Sequence, residues 1–461
     1  MDTKSMFFFR QGFFEAREEP NSKPVTIWLN GGPGASSLAG LFGEVGPCII
    51  GKENDDTILN PFSWTKHTNM LFIDQPAGVG LSTIEDPTMY PDSVEEASKD
   101  FTAMLEVFYG EIFPQYATNP LFIAGESFGG KYVPEYTAKL VRQQAKGAVS
   151  EVLAKVNVSG IILVDALVDA TWLSIGHYDL FCTDKPPNVL HFNETVCQNM
   201  AAVIPECKRR ARMCDHTLDP EDCMDAMEFC LETLEQYFQE EMAAHRHSPY
   251  DRKSPMADTR RKMFNVTNMC FTVRKGCPEP PLCGVGDSEM GDTSRYLNRP
   301  EIQQKLGFES TIPFQSINFD LNMKWSLNPK TYIPTTREIT FLLDDRFESG
   351  GNVAVLVING EYDVTVNYPG TFQEYENLPW HGQAAYQSVD TLQTWYWMDE
   401  EGVRQEGGKW KAAPGVDKNL EYLLVKDAGH MAPGDQRGAV ASAVGAWLRN
   451  GGHLGDGWAT D

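Results

Sequence analysis

The chain has 461 residues, 42% of them hydrophobic, with 39 basic against 64 acidic side chains and a formal net charge of -25. That length suits one large domain carrying an insertion, or two to three small domains. Phosphate binding needs a basic face, so the acidic balance argues against nucleic acid as a partner, and no run of about 20 apolar residues is present to cross a membrane.

At the start, Met1 to Met6 does not read as a signal peptide, and Phe7-Phe8-Phe9 and Phe13-Phe14 read as two strands joined by a turn at Gln11-Gly12. Val25 to Asn30 reads as a strand that runs into the glycine-rich Gly31-Gly32-Pro33-Gly34. Glycines there let backbone N–H groups approach a ligand without a Cβ in the way. Further strands are expected around Phe72, Phe122, Ile162, Leu356 and Leu423, with helical patterns at Val94 to Ile112 and Gly438 to Leu448. Alternation of this kind predicts an α/β fold with a mainly parallel centre.

Gly125-Glu126-Ser127-Phe128-Gly129 lies between the strand Leu121 to Ala124 and a helix expected over Lys131 to Gln144. A strand-turn-helix of the form G-x-S-x-G holds a serine on a sharp turn with its Oγ exposed. A serine needs a base, and the base needs a carboxylate to orient it; in hydrolases with this turn the chain order is Ser, then Asp or Glu, then His. Two later strand ends supply candidates, Asp363 after Val353 to Ile358 and His430 after Tyr422 to Val425. An Asp after a strand is ordinarily a turn former, but the ordered set Ser127, Asp363, His430, each at a strand end, predicts a catalytic triad.

The stretch from about Trp172 to Asn298 breaks the strand-helix rhythm, and Met224 to Ala244 looks helical. It divides the chain into a first core part (1–171), an inserted lid (172–298) and a second core part (299–461). Ten cysteines are present, seven of them between Cys182 and Cys270. The even, dense set points to disulfides and an oxidising compartment, while the C-x2-C spacing of a zinc site is absent. Sequons at Asn157, Asn193 and Asn265 agree with secretory routing, and His245 to Lys262 reads as a long polar surface loop.

Four blocks, Trp28-Leu29-Asn30-Gly31-Gly32-Pro33-Gly34, Asp74-Gln75-Pro76-Ala77-Gly78-Val79-Gly80, Gly125 to Pro134 and Gly429-His430-Met431-Ala432-Pro433, resemble the signature blocks of the serine carboxypeptidases, especially the carboxypeptidase Y type. The resemblance runs from Phe7 to about Gly452. It implies an α/β-hydrolase fold, a mostly parallel central sheet with an inserted, disulfide-rich helical lid. It also implies release of C-terminal amino acids from peptides with a free C-terminus, at acidic pH through an acyl-enzyme, with no metal or organic cofactor. The backbone N–H groups of Gly32 and Phe128 would form the oxyanion hole. Asn30, Glu44 and Glu126 would hold the substrate carboxylate, with Trp28 in support.

Two ionised Glu side chains would repel that carboxylate, so Glu44 and Glu126 are expected to share a proton. The resemblance further implies the pairs Cys182–Cys197, Cys207–Cys230, Cys214–Cys223 and Cys277–Cys283. Where the family often has a bridged pair this chain has Ala35 and Ile317, which leaves Cys48 and Cys270 as a candidate replacement bridge. The free Cys of the carboxypeptidase Y type is Val366 here. Relatives usually begin earlier, so the start looks truncated, and the implied location is secreted or vacuolar/lysosomal.

One departure stands out. The family's Gly-Asn-Gly-x-x-Asp is Val164-Asp165-Ala166-Leu167-Val168-Asp169 here, expected to alter local turn geometry and the substrate pocket but not the triad. Two competing readings use the same residues: a carboxypeptidase-like acyltransferase or esterase, and a catalytically inactive hydrolase fold that binds a partner.

Overall fold

Short apolar runs become strands because their side chains are covered on both faces. The computed structural model describes residues 11–51, 56–84, 86, 89–183, 192–237, 289–307, 312–344, 352–416, 420–454 and 458. In chain order the strands are β1 (Gln11–Phe14), β2 (Val25–Leu29), β3 (Cys48–Ile50), β4 (Thr57–Leu59), β5 (Asn69–Ile73), β6 (Pro120–Glu126), β7 (Asn157–Val164), β8 (Ala354–Gly360), β9 (Gln393–Met398), β10 (Arg404–Ala412) and β11 (Leu420–Val425). Nine form one sheet in the order β1-β5-β2-β6-β7-β8-β11-β10-β9, and β3 with β4 makes a separate ribbon. From β5 through to β11 every neighbouring pair is parallel. The edges, β1 on one side and β10 with β9 on the other, are antiparallel.

The two faces of the sheet carry two cores. On one, Val25, Ile27 and Leu29 of β2 meet Phe101 and Leu105 of α2 (Val94–Val107) and Tyr132, Val133 and Tyr136 of α3 (Gly129–Ala145). On the other, Trp28, Phe72, Phe122, Ile162 and Leu356 meet Val440, Val444 and Trp447 of the helix Arg437–Arg449. The alternation within β2 is the period-two pattern of a strand buried on both sides.

The turn expected at Gln11-Gly12 does not form. Gln11 pairs with Ile73 and Gly12 with Phe72, so both belong to β1. A Cβ on Gly12 would lie 3.2 Å from the Phe14 ring, so the glycine serves side-chain packing rather than a turn. The strand expected at Phe7 lies outside the described residues.

Beyond β7 the chain enters a helical region, α4 (Ala170–Cys182), α5 (Glu194–Thr217) and α6 (Pro220–Cys230). The boundary expected at residue 172 falls inside α4. The last helix begins earlier than expected, at Pro220, and Met224 to Ala244 is described only as far as residue 237. Three disulfides staple the region: Cys182–Cys197, Cys207–Cys230 and Cys214–Cys223, with Cα separations of 5.3, 5.5 and 4.6 Å. These are the pairs that the resemblance implied. Cys48 is bonded to no described cysteine, and Cys270, Cys277, Cys283, Asn265 and the loop 245–262 lie outside the described residues. The apolar side chains of this helical region pack on Val364, in the loop that follows β8.

Candidate active site

Four adjacent strands, β6, β7, β8 and β11, lead into polar residues at the same edge of the sheet. Ser127 follows β6, Asp165 follows β7, Asp363 lies three residues past β8, and His430 lies five residues past β11. Parallel pairing places them together, because Glu126 is in register with Val164, Val164 with Ile358, and Gly360 with Val425.

Ser127 sits at φ 58°, a left-handed conformation that costs a non-glycine residue energy and is held by its surroundings. Its N–H donates to the Val164 carbonyl at 3.0 Å, and its carbonyl accepts from Leu167 at 2.8 Å and Gly130 at 2.9 Å. These bonds fix the turn from both sides, and Ser127 stays partly exposed. Asp363 and His430 are buried, with His430 Nδ1 at 2.7 Å from Asp363 Oδ2. A carboxylate only accepts, so Nδ1 is the donor in this bond and carries a proton. Asp363 Oδ1 accepts from the Val366 N–H at 3.0 Å, which orients the carboxyl from its other oxygen.

The glycine loop after β2 closes on the same serine. A Cβ on Gly31 would lie 2.3 Å from the Phe128 nitrogen, so only glycine permits that approach, and Gly32 follows at φ 105°. Phe128 caps α3, and a capping N–H has no acceptor within its helix. Asp74 holds this loop: its Oδ1 accepts from Ser36 Oγ at 2.5 Å and the Ser37 N–H at 2.9 Å, and its Oδ2 accepts from Leu81 at 2.8 Å.

Beside Ser127 lies a buried network of the expected carboxylate-binding residues. Asn30 Oδ1 accepts from Trp28 Nε1 at 2.8 Å and the Gly40 N–H at 3.0 Å. Two donors on that oxygen fix the orientation of the amide and turn Nδ2 to Glu126 Oε1 at 3.0 Å. The Glu44 carboxyl is buried beside that of Glu126. Burial pushes the Glu126 pKa up, well above the ordinary carboxyl range, against the lowering effect of Glu44 and Asn30. Neighbouring Asp165 and Asp363 add to the rise.

Three contributors escaped sequence reasoning. Gly40 makes room for the Trp28 indole, and Asn60 Nδ2 donates to the carbonyls of Glu44 at 3.0 Å and Gly46 at 2.9 Å. Neither has a local signal. Asp165 had one, the departure from the family's Asn, but its consequence lies elsewhere than expected. Its carboxyl hydrogen-bonds that of Asp363, so the departure falls at the candidate triad itself. Asp169, at the other end of the same segment, caps α4 by accepting from the Thr171 N–H at 2.7 Å.

The sequons at Asn157, the first residue of β7, and Asn193, the N-cap of α5, are both exposed.

The family model described as serine carboxypeptidase matches residues 1–450. Carboxypeptidase Y homolog A of Talaromyces stipitatus is 29% identical over 446 residues, covering 96% of this chain and 70% of that protein. Its namesake in Neosartorya fischeri is 30% identical over 447 residues, covering 96% and 72%. Among solved structures, Kex1(delta)p, a prohormone-processing carboxypeptidase from Saccharomyces cerevisiae, superposes with a TM-score of 0.72 at 20% identity, over 97% of this chain and 88% of that one. At that identity the likeness speaks for the fold.

Proposed function

The chain belongs to the serine carboxypeptidase family of hydrolases, and from that premise we propose that it releases single C-terminal residues from peptides at acidic pH through an acyl-enzyme on Ser127. In this reading His430 Nε2 takes the Ser127 proton as Oγ attacks the last peptide carbonyl, and Asp363 orients the imidazole. The N–H groups of Gly32 and Phe128 receive the oxyanion. His430 returns the proton to the leaving amine, and water then hydrolyses the ester.

The observation that carries the reading is the buried Asn30–Glu126–Glu44 network placed directly before the serine. A protonated Glu126 donates to a substrate carboxylate; an ionised one repels it. Because burial raises the Glu126 pKa, the binding form persists through acidic pH and is lost as pH rises through that raised value. The disulfide-stapled helices and exposed sequons support a secretory or vacuolar/lysosomal location, with Asn157 and Asn193 as glycan sites.

The test is hydrolysis of an N-blocked dipeptide at mildly acidic pH, with Ser127→Ala and the C-terminally amidated dipeptide alongside. Release of the free amino acid should vanish in the variant and fail with the amide. Release that survives Ser127→Ala would sink the proposal, and acyl transfer to an added alcohol in place of hydrolysis would redirect it to an acyltransferase.

A further inference from the structure

Asp165 occupies the strand end between the serine's strand and that of Asp363. It sits at φ 42°, a left-handed conformation that Asp tolerates better than most residues, and its N–H donates to the Ile358 carbonyl at 2.7 Å. Its carboxyl is fully buried. Oδ1 accepts from the Gly360 N–H at 2.7 Å and Asn359 Nδ2 at 3.3 Å, and Oδ2 accepts from the Ala432 N–H at 3.2 Å. These donors come from the end of β8, which leads to Asp363, and from the segment just after His430, so the side chain ties both to the end of β7.

The remaining partner is the Asp363 carboxyl. Two carboxylates cannot hydrogen-bond without a proton between them, and Asp363 already accepts from His430 and Val366. We propose that Asp165 is a positioning residue for the triad, its un-ionised carboxyl donating a hydrogen bond to the Asp363 carboxylate and so fixing the face that Asp363 turns to His430. This rests on the triad reading above. An Asn there would supply an N–H permanently; an Asp supplies an O–H that titrates. Burial and the Asp363 charge both favour the neutral form. The other titratable groups facing the pair are His430, Glu126 at the end of β6, and Tyr422 on β11, whose hydroxyl bonds Thr371.

The consequence is an alkaline loss of turnover distinct from loss of substrate binding. When Asp165 ionises, the pair repels and Asp363 loses its donor. An N-blocked amino-acid ester lacks the free carboxylate that Glu126 would bind, so its kcat isolates this effect. Wild type should lose ester kcat as pH rises into the alkaline range, while Asp165→Asn should lose that limb, and Asp165→Ala should fall at least about tenfold below Asp165→Asn in kcat with little change in KM. In the infrared, the carbonyl band of one un-ionised carboxylic acid should disappear from Asp165→Asn at neutral pH. Thermal melts establish that each variant is folded, and the isosteric Asn carries the test where Ala does not fold. The same alkaline limb in Asp165→Asn as in wild type, or an infrared spectrum that loses no acid band, overturns the proposal. Failure of a fluorophosphonate to label wild-type Ser127 would instead overturn the triad reading beneath it.

Discussion

At the level of single residues, the site is governed by which oxygen or nitrogen faces which partner. The Asn30 amide is a case: two donors on Oδ1 leave its Nδ2 for Glu126. A Cβ at Gly40 would lie 2.1 Å from Trp28 Nε1, so Gly40→Ala should displace the indole and release the amide. The expected outcome is a rise in KM for peptides with kcat little changed, and a stability loss of about 1–3 kcal/mol by urea titration. Glu126→Gln keeps a donor that cannot titrate. Peptide KM in that variant should lose its increase at rising pH, whereas wild type should show the increase for peptides and not for esters. A Gln variant whose peptide KM still climbs with pH would place the titration elsewhere.

Among elements, legibility followed burial. Strands covered on both faces appear as apolar runs, and β2, β5, β6, β7, β8 and β11 were all expected from such runs. The antiparallel strands β9 and β10 at one end of the sheet were not: β10 has the sequence RQEGGKWKA, and its first three residues are exposed. This antiparallel end of the sheet is only partly covered, so β10 carries no continuous apolar run, and in β9 only Trp395 is buried. Helix α5 was hidden as well, since it carries Pro205 in its interior and its sequence is largely polar. A proline there removes a hydrogen bond, and the loss is offset by two disulfides that pin α5 to α6. The missing family bridge has a clear substitute. Ala35 and Ile317 face each other across an antiparallel bridge, flanked by Ser36 N–H to Ser316 carbonyl and Asn318 N–H to Gly34 carbonyl, both 2.9 Å. Such pairs bring Cα atoms within disulfide reach. The double variant Ala35→Cys/Ile317→Cys should form a bond under oxidising conditions and gain about 2–4 kcal/mol, read as a higher unfolding midpoint that reductant abolishes. Two titratable thiols in the oxidised, denatured protein, beyond those of wild type, would contradict this.

For the whole molecule, the dominant electrostatic fact is an acidic chain with carboxyls buried in its interior. Burial raises the pKa of Asp74 to about 6 and pushes Asp165, Glu126 and Glu374 upward. A carboxyl whose folded pKa exceeds its unfolded value contributes fully below the unfolded value, and that contribution is lost as pH rises through the folded one. For Asp74 the window runs from its ordinary 3.8 to about 6. His67, lowered from 6.5 to about 4 by burial, acts the other way, costing stability as pH falls through that range. Four carboxyls against one imidazole favour the acidic side, and the net charge of -25 adds self-repulsion at higher pH. The thermal midpoint should therefore be higher at about pH 5 than at about pH 8. A midpoint that rises across that interval would refute the assignment of these carboxyls as net destabilising when ionised.

Local sequence was enough to set the strands of the parallel centre, the sharp turn at Ser127, and the order in which Ser127, Asp363 and His430 arrive at strand ends. Apolar periodicity and turn chemistry act over a few residues, so they are written in the chain. It took the folded arrangement to put Asp165 against Asp363, to turn the Asn30 Nδ2 to Glu126, and to bring Ala35 to Ile317. Those contacts join residues far apart in the chain. The first exists only because parallel pairing brings the ends of β6, β7, β8 and β11 to one edge of one sheet, and the others depend on loops that the same sheet holds in place.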